Sequence, residues 1–172
     1  MKKYLIVSVI LFLVMNVKGQ SGFGIDVGMS TSKAPMIAAK YYFEKNAVSL
    51  GGSYTLFNNA LGEKKTLIPG DTAIGDGKIF YTLDFGYTRV ISEKFSIAAE
   101  ISIGQEKHYQ NIRDDSAPEG AYHRITDKKS KFGGGGLLFY NISQTVGLFA
   151  GYNSIREGTF GVEIRFFQTE QY

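Results

Sequence analysis

Apolar side chains recur at every second position through most of this chain, and that period constrains the fold more tightly than any other feature. A period of two is the strand signature, because successive side chains of a strand point to opposite faces. Eight segments carry it: 22–30, 36–44, 47–57, 78–90, 95–104, 130–140, 145–153 and 159–167. In the first, Phe23, Ile25, Val27 and Met29 share one face, and Gly22, Gly24, Asp26, Gly28 and Ser30 share the other. In the last, Phe160, Val162, Ile164 and Phe166 oppose Gly161, Glu163 and Arg165. No stretch shows a convincing helical stripe. Segment 130–140 is the least regular, since Gly133-Gly134-Gly135-Gly136 interrupts it and leaves its facing open.

The segments are about nine to twelve residues long, which is what a tilted strand needs to cross a bilayer. Their connections alternate in length. Glu44-Lys45-Asn46, Ile91-Ser92-Glu93-Lys94 and Asn141-Ile142-Ser143-Gln144 are tight turns, whereas 58–77 and 105–129 are long and polar, and 31–35 and 154–158 are shorter. All the longer connections therefore fall at one end of an antiparallel meander. An even strand count returns both ends of the meander to the turn side.

The polar face separates a membrane barrel from a soluble one. A face in water would be rich in Lys, Glu, Arg and Thr. Here it is mostly Gly, Ala, Ser and Thr, with isolated charges at Asp26, Lys40, Asp84, Glu100, Glu163 and Arg165. Small residues and a few charges of both signs suit the interior of an eight-stranded barrel, which is only wide enough to be filled by side chains. The opposite face is a nearly unbroken apolar band, which soluble monomers rarely expose. Tyr54, Phe57, Tyr81, Tyr152 and Phe160 gather toward the loop end, and Phe43, Tyr87, Phe95, Tyr140 and Phe166 toward the turn end, as two interfacial girdles would. The expectation is an all-β, eight-stranded, antiparallel up-and-down transmembrane barrel over residues 20–172.

Residues 1–19 read differently. Met1-Lys2-Lys3 is a basic start, Tyr4 to Val14 is apolar except for Ser8, and Val17 and Gly19 are placed for cleavage after Gly19. These are the three parts of a secretory signal peptide, and the apolar run is too short for a spanning helix. The whole chain carries 19 Lys and Arg against 16 Asp and Glu. Removing 1–19 takes away Lys2, Lys3 and Lys18 and no acid, leaving 16 of each sign. A nucleic-acid role thereby loses its electrostatic footing. With no cysteine, disulfides and thiolate metal sites are excluded as well.

The last strand, Thr159-Phe160-Gly161-Val162-Glu163-Ile164-Arg165-Phe166, resembles the C-terminal β-signal of outer-membrane barrel proteins: polar, any, Gly, two of any, hydrophobic, any, aromatic. The resemblance implies an insertion role for Gly161, Ile164 and Phe166, read by the barrel-assembly machinery. The departure is that residues 168–172 follow the strand. In size and layout, residues 20–172 are similar to small eight-stranded barrels of the OmpA/OmpX type. That likeness implies an outer-membrane location, contact with outer-membrane lipid and lipopolysaccharide, and a surface or envelope role through the outer loops.

Several groups of residues invite a chemical reading. The six inward charges suggest either an ion path or a paired plug. The plug is favoured, because an unpaired charge in so narrow a lumen is costly. Four acids against two bases do not balance, so Lys78, Tyr42, buried water or a protonated carboxyl is expected to help. His108 and His123, the only histidines, are the candidate bases for the alternative reading, a lipid A-modifying acyl hydrolase or acyltransferase. Neither has a Ser two residues on, and Asp114, Asp115 and Ser116 approach only if the loop folds back. Water-exposed loop histidines and a non-enzymatic protein are the expectation, with a narrow small-solute pore as a further alternative. Gly133–Gly136 is followed by Leu137-Leu138-Phe139-Tyr140, a strand, so it is a bending or packing element and no phosphate cradle. Asp71 and Asp76 match no calcium-loop spacing, and neither a cofactor nor a metal is expected. Lys128, Lys129 and Lys131 form a basic cluster placed to meet lipopolysaccharide phosphates. Asn141-Ile142-Ser143 fits a glycosylation sequon but falls in a turn.

Overall fold

Alternation of apolar and small or polar side chains sorts the two faces of each strand, and the sheet closes around the polar one. The computed structural model describes residues 21–56, 58–62, 72–113 and 120–167. The expected signal peptide (1–19), Phe57, Asp71 and Asp114–Ser116 lie outside the described residues. Eight strands run in chain order: β1 Ser21–Ser30, β2 Pro35–Phe43, β3 Asn46–Tyr54, β4 Thr72–Val90, β5 Phe95–Arg113, β6 Ala121–Asn141, β7 Val146–Asn153 and β8 Glu157–Phe167. Each is antiparallel to the next, and β1 pairs with β8 from Gly22↔Phe167 to Ser30↔Thr159, so the barrel is closed.

The burial pattern is inverted relative to a protein folded in water. Ile37 is 62% exposed and Phe132 76%, while Lys40 is 2% exposed and Arg156 wholly buried. The apolar band therefore faces outward all the way round, and charge lies inside. Tyr54, Tyr81, Tyr152 and Phe160 stand on this outer surface near the loop end, and Tyr87, Phe95, Tyr140 and Phe166 near the turn end. Phe43 is only half exposed. The facing of β6, which the sequence left open, resolves with Gly133, Gly135, Leu137, Phe139 and Asn141 inward and Phe132, Leu138 and Tyr140 outward.

The two long connections are much shorter than the sequence suggested. Pairing of β4 with β5 continues from Val90↔Ser96 up to Thr72↔Arg113, and that of β5 with β6 from Phe95↔Tyr140 up to Arg113↔Ala121. Most of 105–129 and the end of 58–77 are thus strand. At about 3.3 Å per residue, strands of 19 to 21 residues reach about 60 Å. A membrane crossing uses only about half of that, so a three-stranded ribbon stands beyond the barrel. The regular apolar alternation ends where the lipid-facing band ends, and the mostly polar ribbon, with Tyr109, Ile112 and Tyr122 buried at irregular spacing, carries no strand period in its sequence. A register shift at His108/Tyr109 leaves Thr126 of β6 as an extra residue against β5, and another shift lies at Ala73/Gly75.

Residues 58–62 strap across one face of the ribbon. The Tyr109 hydroxyl accepts from the Asn59 amide at 3.0 Å, and Asn111 receives the Leu61 amide at 3.0 Å while donating to the Asn59 carbonyl at 2.8 Å. Gly77 makes room for this packing: a Cβ there would lie 2.3 Å from the Tyr109 hydroxyl oxygen.

Closure itself depends on a glycine pair. Gly28 and Gly161 are partners across the β1–β8 seam, and the buried Phe149 ring lies over both. A Cβ on Gly161 would meet Phe149 Cζ at 2.5 Å and the Val27 carbonyl oxygen at 2.3 Å. Gly161→Val should therefore hinder the seam, with overpacking of about 1–3 kcal/mol. The expected result is a smaller fraction of the faster-migrating folded form on unheated gels after refolding into vesicles. Phe149→Leu in the same chain should restore part of it, and an undiminished folded fraction for Gly161→Val would contradict the role given to the seam.

Candidate functional site

The six charges singled out in the sequence all point into the lumen, where they form two networks. Toward the turn end, Lys40 Nζ lies 3.0 Å from Asp26 Oδ2 and 2.7 Å from Glu163 Oε1. Arg165 Nε donates to Glu163 Oε2 at 2.7 Å, and its Nη2 also donates to Asn141 Oδ1. The Tyr42 hydroxyl donates to Glu163, which is the help expected of it. Lys40 also sits 3.7 Å from the centroid of the Phe139 ring. Two cations and two anions balance here. Asn141, half of the sequon, is buried in this network and donates to the Glu93 carbonyl at 2.7 Å.

The loop-end network is built on a residue absent from the sequence-based set. Arg156 comes from the connection between β7 and β8 and turns inward. Its Nη1 lies 2.5 Å from Asp84 Oδ2, and its Nη2 lies 2.5 and 2.7 Å from the two Glu100 oxygens. Thr82 donates to Asp84 at 3.0 Å, Ser102 donates to Asp84, and Asn153 donates to Glu100 at 2.7 Å and to Ser102 at 2.9 Å. The third interior base that the charge count lacked is thus Arg156 rather than Lys78, which pairs with Glu157 at the exposed rim at 3.1 Å. A sequence signal for the inserted connection did exist. Gly133 and Gly135 face inward beneath it, and a Cβ on Gly133 would lie 2.5 Å from Ser154 Oγ and 2.7 Å from Ile155 Cγ1. Part of the glycine tract is the recess that admits this segment.

Apolar side chains fill the remaining interior. Met36, Leu137, Phe139 and Phe149 pack together, with Phe149 against Gly161, midway along β8 between Thr159 and Glu163. Ala34, Phe80 and Ile155 form a second cluster near the loop end.

Above the lumen, the inward face of the ribbon carries a rim of charges. Glu106 Oε1 is 3.0 Å from His108 Nε2 and 3.1 Å from Lys131 Nζ, while Lys129 pairs with Asp127 at 2.9 Å. Burial alone would push the Glu106 carboxyl up, but Lys131 and His108 outweigh it and hold it below the usual range. His123 lies on the opposite face, with Nδ1 3.0 Å from the Leu61 carbonyl and its ring edge-on to Tyr109. The two histidines are not brought together, and among the described residues neither imidazole ring makes a hydrogen bond to a side-chain hydroxyl; Thr126 Oγ1 donates to the His108 backbone carbonyl at 3.3 Å. The basic cluster is also divided: Lys129 and Lys131 have acid partners on the inward face, and Lys128 points the other way. Of the C-terminal pattern, Gly161 faces the lumen, and Ile164 and Phe166 face outward.

Barrel, apolar girdle and filled lumen together define a small transmembrane β-barrel of the outer-membrane type. No protein-family model matches the chain, and no curated protein is similar to it in sequence. Solved structures are similar in fold. Ail, the attachment invasion locus protein of Yersinia pestis, in complex with the heparin analogue sucrose octasulfate, aligns with a TM-score of 0.54 at 15% identity, covering 87% of this chain and all of that one. A second structure of Ail gives 0.51 at 16% identity with the same coverage.

Two predictions follow from the charge networks. Arg156→Met strands Asp84 and Glu100, and removing one partner of a buried ion pair costs about 3–5 kcal/mol. The variant should lose its heat-resistant gel form at a clearly lower temperature, and adding Asp84→Asn with Glu100→Gln should recover most of the difference. At the rim, a carboxyl held below its unfolded value stabilises the fold at neutral pH, and this contribution disappears as pH falls through the folded value. Amide protection around residues 104–108 and 129–131 should therefore drop on acidification in the parent and much less in Glu106→Gln, as read by hydrogen exchange.

Proposed function

We propose that the chain is a non-enzymatic surface protein of a bacterial outer membrane, exported by residues 1–19 and acting through the ribbon of β4, β5 and β6. On this reading the loop end faces outward, the turns face the periplasm, and the β8 residues Gly161, Ile164 and Phe166 serve insertion by the barrel-assembly machinery. The observation that carries it is that two edges of the ribbon have no strand partner among the described residues. β3 stops pairing at Tyr54↔Tyr81 and β7 at Gly135↔Asn153, yet β4 and β6 continue for many residues. A strand edge with unpaired backbone groups is a template for an extended segment of another protein, with main-chain hydrogen bonds giving affinity. Lys128, Lys129 and neighbouring charges keep such an edge from pairing indiscriminately.

The lumen supports a plug rather than a pore: paired charges at two levels enclose apolar side chains, and eight strands leave little space beyond that. The acyl-transfer alternative has less support. His108 is engaged by Glu106 and His123 by a backbone carbonyl, so neither is poised beside a nucleophile.

Trypsin applied to intact cells tests the orientation and the surface role together. Cleavage is expected at Arg124, Lys128 and Lys129 and not at Lys45 or Lys94 in the turns; expression should raise the binding of cells to protein-coated surfaces, and the treatment should abolish that gain. Cutting at the turns, or adhesion independent of the ribbon, contradicts the reading. Lipid A mass spectra should be identical with and without the chain; an acyl change abolished by His108→Ala would establish the enzyme instead.

A further inference from the structure

Like charges placed directly opposite each other on adjacent strands are destabilising unless something lies between them. Lys107 of β5 and Lys128 of β6 are such a pair: they are register partners, so both side chains leave the same face of the sheet. Among the described residues, neither ammonium has a carboxylate within ion-pair distance. The contrast with the next lysines is sharp, since Lys129 and Lys131 on the other face are each matched by an acid.

The face that carries this pair is the continuation of the lipid-facing wall. On β5 it runs Ile101, Ile103, Gln105, Lys107, and on β6 Phe132, Ser130, Lys128. Below the lysines the wall is hollowed into a groove lined by Tyr81, Leu83, Ile103 and Phe132, with Gln105 and Ser130 at its upper end. Each of those four large side chains is exposed. Lys107 Nζ stands 5.7 Å from the centroid of the Tyr81 ring, which fixes the cation at the head of the groove. Four residues separate Lys107 from Ile103, about 9 Å along the membrane normal for a strand tilted near 45°. A lysine side chain reaching back from that height meets a headgroup layer about 5–8 Å thick.

We infer that Lys107 and Lys128 clasp the phosphate of an acylated, phosphorylated lipid whose chains lie in the groove beneath. Charge complementarity selects the occupant. Two unmatched cations call for an anion, and an apolar groove directly below them calls for that anion to carry hydrocarbon, as a lipid A-type phosphate does. A soluble phosphate satisfies only the upper half of the site, and a zwitterionic lipid brings its own cation. The inference deepens the partner side of the proposed function and rests on its membrane-spanning reading.

The test is lipid retention by the folded full-length barrel, measured by native mass spectrometry after extraction from phosphatidylcholine vesicles with and without lipid A. The parent should retain lipid A in preference to phosphatidylcholine, and inorganic phosphate should not displace it. Lys107→Gln with Lys128→Gln should lower retention at least about tenfold, while Lys129→Gln, its sequence neighbour on the other face, should leave it unchanged. Equal retention by the double variant, an equal loss in Lys129→Gln, or displacement by inorganic phosphate overturns the inference. A chain that shows no heat-modifiable migration in either vesicle overturns the spanning reading along with it, whereas one that folds without lipid preference overturns the lipid site alone.

Discussion

Hydrocarbon offers no hydrogen-bond partners, so a strand that enters it must find every backbone partner in another strand. The rest of this structure follows from that constraint. It requires β1 to close on β8, and closure with eight strands leaves a narrow interior. Narrowness in turn explains Gly28 and Gly161 beneath Phe149, because a side chain at either position competes with that ring. It also explains why each interior charge sits against an oppositely charged partner, since no bulk water is at hand to solvate a stray one. An exterior in oil and an interior of paired ions are two results of one closure.

Much of this was legible in the sequence because a period of two survives burial on either face. Asp26, Lys40, Asp84, Glu100, Glu163 and Arg165 could be assigned to the lumen from position parity alone, and the structure places all six there. Parity fails where the chain leaves regular strand. Arg156 lies in a connection, has no face to be assigned to, and yet is among the most deeply buried side chains. Space for its neighbours Ser154 and Ile155 was present as the inward Gly133, but a glycine records only that space is needed and not what fills it. The ribbon was missed for a different reason. Above the lipid-facing band the regular apolar alternation lapses, with Gln105 to His108 polar on both faces and the buried Tyr109 and Ile112 on opposite ones, so Gln105 to Arg113 keep their strand geometry and lose the pattern that reveals it.

The same parity that sorts the barrel sorts the ribbon's lysines, and here sequence adjacency misleads. Lys128 and Lys129 are neighbours along the chain, yet one joins Lys107 over the lipid-facing groove and the other joins Asp127 above the lumen. A cluster defined by proximity in sequence is therefore two half-clusters with different surroundings. His108 and His123 are divided in the same way, one beside Glu106 and the other beneath the strap at Leu61.

The position of Arg156 in the chain also decides which strands must be present before the interior acids have their cation. Asp84 and Glu100 belong to β4 and β5, and the cation that neutralises them arrives only with the connection leading into β8. At the turn end Lys40 and Asp26 already pair within the first two strands, and Glu163 with Arg165 of β8 joins that pair last. A sheet that stops at β5, β6 or β7 therefore carries Asp84 and Glu100 without their counter-ion on the surface destined to become the interior. The pairing of Asp84 and Glu100 with Arg156 is thus a property of the completed ring alone, and it forms only where the earlier strands hold both acids at the level of that guanidinium.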